Sequence, residues 1–258
     1  MSTNEPFIHF EGKAVVITGA GAGIGRVAAL ELARLGAKLV IGDMSLERAS
    51  RVEAEIREAN GEGRALAVEC DVRDYAAVTG MIGAAIERFG ALDVLVNNAG
   101  TGKGGSFVKS NPEDWNFDLG VCLYGTMNCV HAALPHMIER GRGRIVNCCS
   151  DAGRVGEPYL AIYSAAKAGI VGFTKAVAKE VGKKGVLMNC VCFGTTLTEV
   201  MQKVIPPEMR GKLAKGYALR RLGTMEDAAN AMILLASDRA SFVTGQVLSS
   251  SGGFSMVD

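Results

Sequence analysis

A chain of 258 residues with a 48% hydrophobic composition can bury one sizeable core, which excludes intrinsic disorder and predicts a single domain over residues 1–258. Twenty-eight Lys and Arg against 27 Asp and Glu leave a formal charge of +1, so a footprint for nucleic acid or a membrane surface is excluded and a small-molecule partner is expected. The polar start Met1-Ser2-Thr3-Asn4-Glu5-Pro6 lacks the order of a secretory signal and no apolar run reaches spanning length, so a cytoplasmic protein with seven reduced cysteines is expected.

Short apolar runs alternate with longer amphipathic ones. Ala14–Thr18, Lys38–Gly42, Ala65–Glu69, Val94–Asn97, Arg144–Cys148, Val186–Cys192 and Gln246–Leu248 read as parallel strands, because they lack the polar alternation of a sheet with one wet face. The expected fold is α/β, a doubly wound (Rossmann-type) seven-stranded parallel sheet with helices on both faces. After the first strand, Thr18-Gly19-Ala20-Gly21-Ala22-Gly23-Ile24-Gly25 opens a helix in which Ile24, Val27, Ala28, Leu32 and Leu35 share a face and which Gly36 ends. Gly19, Gly23 and Gly25 let backbone approach a pyrophosphate and aim a helix N-terminus at its charge. Asp43 closes the second strand twenty residues after Gly23, where a carboxylate accepts both adenosine ribose hydroxyls and repels a 2′-phosphate. NAD is therefore the expected cofactor. Arg26 and Arg48 leave two alternatives open, a reach to a phosphate or an ordinary place on a helix surface.

Asn111-Pro112-Glu113-Asp114 carries a cap, a proline for the first position and first-turn acids, and predicts a helix running to about Arg140. Gly120 and Gly125 inside it cost about 1 kcal/mol each relative to alanine, so close approach of cofactor or of a neighbouring subunit is the expected reason for them. Cys148-Cys149 and Cys190-Val191-Cys192 lie in strand-like runs, and His9, His131 and His136 have no zinc-type spacing, so no metal site is predicted.

Thirteen residues after Ser150, Tyr163-Ser164-Ala165-Ala166-Lys167 falls in a helical stretch over 160–180, which puts Tyr163 and Lys167 on one face, one turn apart. An ammonium beside a phenol lowers a pKa otherwise near 10 and makes it useful as an acid or base, while the Ser150 hydroxyl can bind a carbonyl oxygen. Asp151, Arg154, Glu157 and Tyr159 are expected at the pocket mouth. Arg154 has two open roles, binding a substrate carboxylate or carrier phosphate, or sitting solvated in a loop. Residues 194–217, with Pro206-Pro207 and apolar Leu197, Val200, Met201, Val204 and Ile205, read as an amphipathic lid over substrate.

The glycine turn, Asp71-Val72, Asn97-Asn98-Ala99-Gly100, Ser150, Tyr163 with Lys167, Gly194 with Thr198, Thr244-Gly245 and Gly252-Gly253 occur in that order. With this set the chain resembles a short-chain dehydrogenase/reductase of the single-domain branch, from about Gly12 to Gly253. The resemblance implies that Asp71 and Val72 contact adenine, that Asn98 and Gly100 border the cofactor, and that Lys167 also holds the nicotinamide ribose next to Tyr163. Backbone near Thr196 and the Thr198 hydroxyl would meet the carboxamide and pyrophosphate. It further implies a homotetramer built on the long helices and the C-terminal strand.

Ala22 and Met44 stand where phosphate-accepting relatives often carry basic residues, in line with NAD. Two positions depart from the family. Cys122, seven residues after Trp115, replaces an asparagine that holds a water linking the lysine to solvent, and a thiol is a poor substitute for an amide. Phe193 replaces a proline before Gly194, and its ring is a candidate wall for the nicotinamide pocket. Asn116 and Asn128 are expected to be structural. The implied activity is NAD-dependent interconversion of a secondary alcohol and a ketone, with Ser150, Tyr163, Lys167 and Cys122 as the catalytic set. Two alternatives stay open. One is a 3-oxoacyl thioester reductase, which Tyr163–Glu180 resembles; the other is a non-catalytic dinucleotide-binding regulator or scaffold, which Cys122 would suit.

Overall fold

Val15, Val16 and Ile17 are consecutive, so an extended chain must send them to alternate sides, and both sides must be dry. The computed structural model describes residues 7–257, so the expectation about Met1–Pro6 lies outside the described residues. Its strands are β1 (Ala14–Thr18), β2 (Lys38–Asp43), β3 (Ala65–Glu69), β4 (Val94–Asn97), β5 (Gly143–Cys148), β6 (Val186–Phe193) and β7 (Val247–Ser250). They form one parallel sheet of order β3-β2-β1-β4-β5-β6-β7. The helices are α1 (Gly23–Arg34), α2 (Leu46–Asn60), α3 (Tyr75–Phe89), α4 (Pro112–Leu119), α5 (Gly125–Glu139), α6 (Ala152–Val155), α7 (Ala161–Val181), α8 (Glu199–Val204), α9 (Pro207–Ala214) and α10 (Met225–Ala236).

Val15, Ile17, Leu39, Ile41, Val94 and Val96 face one way, against Ala28 and Leu32 of α1, Val52 and Ile56 of α2, and Met232 of α10. Val16, Val40, Leu95 and Ile145 face the other way, against Met81 of α3, Ala133 and Met137 of α5, and Ala178 of α7. The doubly wound α/β fold and its single domain are thus observed. Each strand expected from the sequence is present. The largest shift of an end is at β7, which reaches Ser250 because its register follows Cys190–Phe193 of β6. Among the described residues no helix is long and apolar enough to cross a membrane. All seven cysteines are free and buried.

The long helix after Asn111 is more structured than its sequence suggests. Asn111 caps it, accepting from the Glu113 amide at 3.1 Å, with Pro112 in the first turn. It then passes through a π-helical turn, Gly120–Tyr124, before continuing as α5. Gly125 is needed for packing against this chain's own Val72, since a Cβ there would lie 2.5 Å from Val72 Cγ2. The strand order reverses between β2-β1 and β4-β5, which opens a crevice at the carboxyl ends of β1 and β4.

Candidate active site

The turn after β1 is shaped by its neighbours. A Cβ on Gly25 would come within 2.4 Å of the Gly19 carbonyl and 2.5 Å of Asn98 Nδ2, so no larger residue lets α1 start this close to the sheet. Asn98 Nδ2 donates to the Thr18 and Gly19 carbonyls, both at 3.0 Å, and the amides of Asn98 and Ala99 donate to Thr18 Oγ1 at 3.1 Å each. Ala22 precedes α1 and no side chain among the described residues caps that end, which leaves its first amides for an anion.

A cleft of about 480 Å³ opens in front of this turn. It gathers Gly19, Gly23 and Ile24 from the turn, Asp43 from β2, Asp71 and Val72 from beyond β3, Asn98 and Gly100 from beyond β4, and Thr198 from the start of α8. Five separate segments thus bring most of the sequence-predicted cofactor residues to one place. The uncapped helix end, the close-packed glycines and an acid at the tip of β2 together fit a dinucleotide. Thr198 uses its hydroxyl to accept from the Met201 amide at 3.2 Å, which caps α8. Thr196, two residues before Thr198, makes a different contact. Its hydroxyl donates to the Gly194 carbonyl at 3.2 Å and it lines a smaller cavity with Tyr217 and Arg221.

Asp43 is 6% exposed and more heavily engaged than a lone ribose acceptor. Its Oδ2 accepts from the Gly21 amide at 3.0 Å, while Oδ1 accepts from the Ser45 amide at 3.0 Å and from Arg48 Nη2 and Nε at 2.6 and 3.2 Å. Arg48 therefore brings positive charge to the same end of the cleft. Arg26 is committed elsewhere, in a two-pronged contact with Glu55. Asp71 is gripped by the Arg73 guanidinium, whose hydrogen bonds hold its carboxyl below the usual range. Asn128 Nδ2 donates to the Val72 carbonyl at 2.9 Å, a structural role as expected.

Tyr163 and Lys167 rise from the first turns of α7, with Lys167 Nζ 5.5 Å from the phenol ring centroid. Lys167 is 3% exposed and its ammonium donates to the Cys148 carbonyl at 2.8 Å, at the end of β5. Burial alone would lower its pKa, but the ionisable groups facing it, Tyr163 first and then Cys122, Cys149 and Cys148, raise it overall. Tyr163 corrects an expectation. Burial pushes its phenol up, and the pull downward from Lys167 and from hydrogen bonding with Ser150 does not offset this. Helical spacing conveys the ammonium but not the dry wall opposite. Gly102 is one neighbour of the ring there: a Cβ on it would lie 2.8 Å from Tyr163 Cδ2. Ser150 Oγ also accepts from the Ala152 amide at 3.2 Å, which ties it to the start of α6.

Cys122 is fully buried in the π-helical turn. Its Sγ donates to the Thr101 carbonyl at 3.0 Å and accepts from the Thr101 amide at 3.4 Å. Phe193 lies in the core shared with Met232 and Val191 and is 8% exposed, so it packs as a core residue and does not wall a pocket. Arg154 turns inward, contacting Asp151 at 3.5 Å and the Val257 carbonyl, and is neither solvated nor open to a ligand. Tyr159 is 71% exposed with φ 67°, and its carbonyl accepts from the Gly105 amide at 2.8 Å. The segment 194–217 contains α8 and α9, with no fully buried residue in either, and is pinned by Tyr217, whose hydroxyl accepts from the Thr195 amide at 2.9 Å. Neither Tyr217 nor the Thr18 hydroxyl had been singled out from sequence. Thr18 was detectable as the last strand residue before the turn; Tyr217 had no local signal.

An open parallel sheet, a glycine turn at its switch point and a Ser-Tyr-Lys group at the end of β5 define an oxidoreductase of the dinucleotide-binding kind. The chain belongs to the short-chain dehydrogenase/reductase family: residues 19–255 match the family model described as enoyl-(acyl carrier protein) reductase. It is 39% identical to meso-2,3-butanediol dehydrogenase of Serratia marcescens, over 97% of this chain and 98% of that one. It is also 39% identical to the hydroxy(phenyl)methyl-succinyl-CoA dehydrogenase subunit BbsD of Thauera aromatica, over 95% and 98%. To the 3-oxoacyl-(acyl-carrier-protein) reductase FabG of Staphylococcus aureus it is 35% identical, over 95% and 98%.

Proposed function

We propose that this protein is an NAD(H)-dependent oxidoreductase that interconverts a secondary alcohol and a ketone. One observation carries the reading: a buried ammonium, a phenol and a serine meet at the end of β5, and Gly100, which lines the cleft holding Asp43, lies against that ammonium. The bound nicotinamide supplies the hydride acceptor or donor. Tyr163 takes the alcohol proton in oxidation and returns it in ketone reduction. Ser150 holds the reacting oxygen, and Lys167 holds the ribose and favours the phenolate. The substrate enters beneath 194–217, a lid whose exposed Val200 and Val204 suit an apolar substrate.

Asp43 supports NAD over NADP, and Arg48 supports a tolerance for NADP that Asp43 alone would not allow. Asp43→Ser removes the repelling charge and frees Arg48, so the NADP-to-NAD ratio of kcat/KM is expected to rise about tenfold or more, equivalent to roughly 1.4 kcal/mol. Parallel assays with both cofactors read this directly, and an unchanged ratio would remove both residues from cofactor choice.

Cys122 in the asparagine position supports a slower proton relay behind Lys167. Cys122→Asn is expected to speed the proton-transfer step, seen as a smaller solvent isotope effect on kcat; no change would discard the relay.

A second reading, reduction of a 3-oxoacyl thioester, is favoured by the FabG likeness and by the thioester in the name of the Thauera relative. A cytoplasmic homotetramer belongs to the proposal through family likeness. The test of function is a screen of secondary alcohols and 3-oxoacyl thioesters with NAD(H) and NADP(H), following reduced-nicotinamide absorbance. Cofactor binding without turnover of any of them would replace this reading with that of a dinucleotide-binding scaffold.

A further inference from the structure

Asp118 lies in α4 and is 3% exposed, yet no basic side chain among the described residues comes within ion-pair distance of it. A buried carboxylate is destabilising unless its oxygens are used. Its Oδ2 accepts from the Lys103 amide at 3.0 Å. Two more side chains, spaced four residues to either side, hold the same loop. Asp114 Oδ2 takes Lys103 Nζ at 2.8 Å, and Cys122 takes both backbone groups of Thr101. Between the two anchored residues sits Gly102, pressed on the Tyr163 ring so closely that a Cβ would be 2.8 Å from Cδ2.

We propose that Asp118 is a positioning residue: by fixing the Lys103 amide it sets how far the Thr101–Lys103 loop bears on Tyr163, and so where the phenol sits relative to Ser150 and Lys167. The loop cannot move outward without losing the Asp118 contact, and it cannot move inward without striking the ring. The kinetic part rests on the role proposed for Tyr163; the structural part does not.

Amide hydrogen exchange over residues 99–106 and steady-state kinetics on the full chain test it. Asp118→Ala is expected to speed exchange in this segment and lower kcat about tenfold to a hundredfold, with KM for NAD changed less than about twofold, as a misplaced acid-base group does. Asp118→Asn keeps an acceptor oxygen and is expected to restore slow exchange and recover kcat to within about threefold. Should Asp118→Ala fail to fold, Lys103→Pro removes the amide and leaves α4 intact, with the same expected loss. A folded Asp118→Ala with unchanged exchange and kcat overturns the proposal, and so does Asp118→Asn performing as poorly as Asp118→Ala. If the wild type turns over no alcohol, the functional reading fails while the exchange result still decides the role of Asp118 in the loop.

Discussion

Tyr163→Phe is expected to lower kcat/KM by about a thousandfold to ten-thousandfold while leaving NAD affinity within about threefold of wild type. The ring, its contact with Gly102 and its place above Lys167 are all retained by phenylalanine, so the fold and the cofactor cleft are undisturbed. What disappears is the single hydroxyl that exchanges a proton with substrate. Fluorescence titration of the cofactor and steady-state rates separate the two effects. Turnover within tenfold of wild type would assign proton transfer to another group.

Lys167→Met is expected to lower kcat about a hundredfold or more and to move the pH midpoint of the rate upward. The sign follows from the site. Alcohol oxidation uses the phenolate, so its rate climbs as pH rises through the phenol pKa; ketone reduction uses the phenol, so its rate falls through the same pKa. Burial raises that pKa in Tyr163, and the Lys167 ammonium is the largest influence opposing the rise. Removing the ammonium takes away the largest opposition to burial and leaves only hydrogen bonding with Ser150 against it, so both limbs shift to higher pH. Methionine fills a similar volume and ends the burial of a charge, but leaves the Cys148 carbonyl without its donor, a loss of about 1–3 kcal/mol. These oppose each other, so the melting temperature is expected to change little. A midpoint that stays in place or falls would show that Lys167 does not tune Tyr163.

The fold was legible because its signals are local. Fully buried parallel strands read as apolar runs, Gly36 and Asn111 mark helix ends through their own backbone preferences, and the glycine turn announces itself within eight residues. Tyr163 and Lys167 were legible for the same reason, since helical spacing alone brings them to one face. What escaped were contacts between segments distant in sequence. The upward pKa of Tyr163 comes from burial, and one neighbour of its ring, Gly102, lies more than sixty residues earlier. Nothing local to the predicted helix marks Asp118, whose partner is the Lys103 amide fifteen residues earlier. Arg154 had a ligand role and a solvated loop position open to it, and instead contacts Asp151 and the Val257 carbonyl. Arg48 was close enough to Asp43 to suspect, but nothing in a five-residue separation decides whether an arginine faces solvent or a carboxylate.

The hydrogen bonds that Thr18 and Asn98 make around the glycine turn are complete within the protein itself. The anion-receiving shape is therefore preorganised, and a pyrophosphate arriving there need not freeze a wandering loop. Little conformational entropy of the protein is surrendered on association, so less of the attraction at the open end of α1 is lost to ordering the turn.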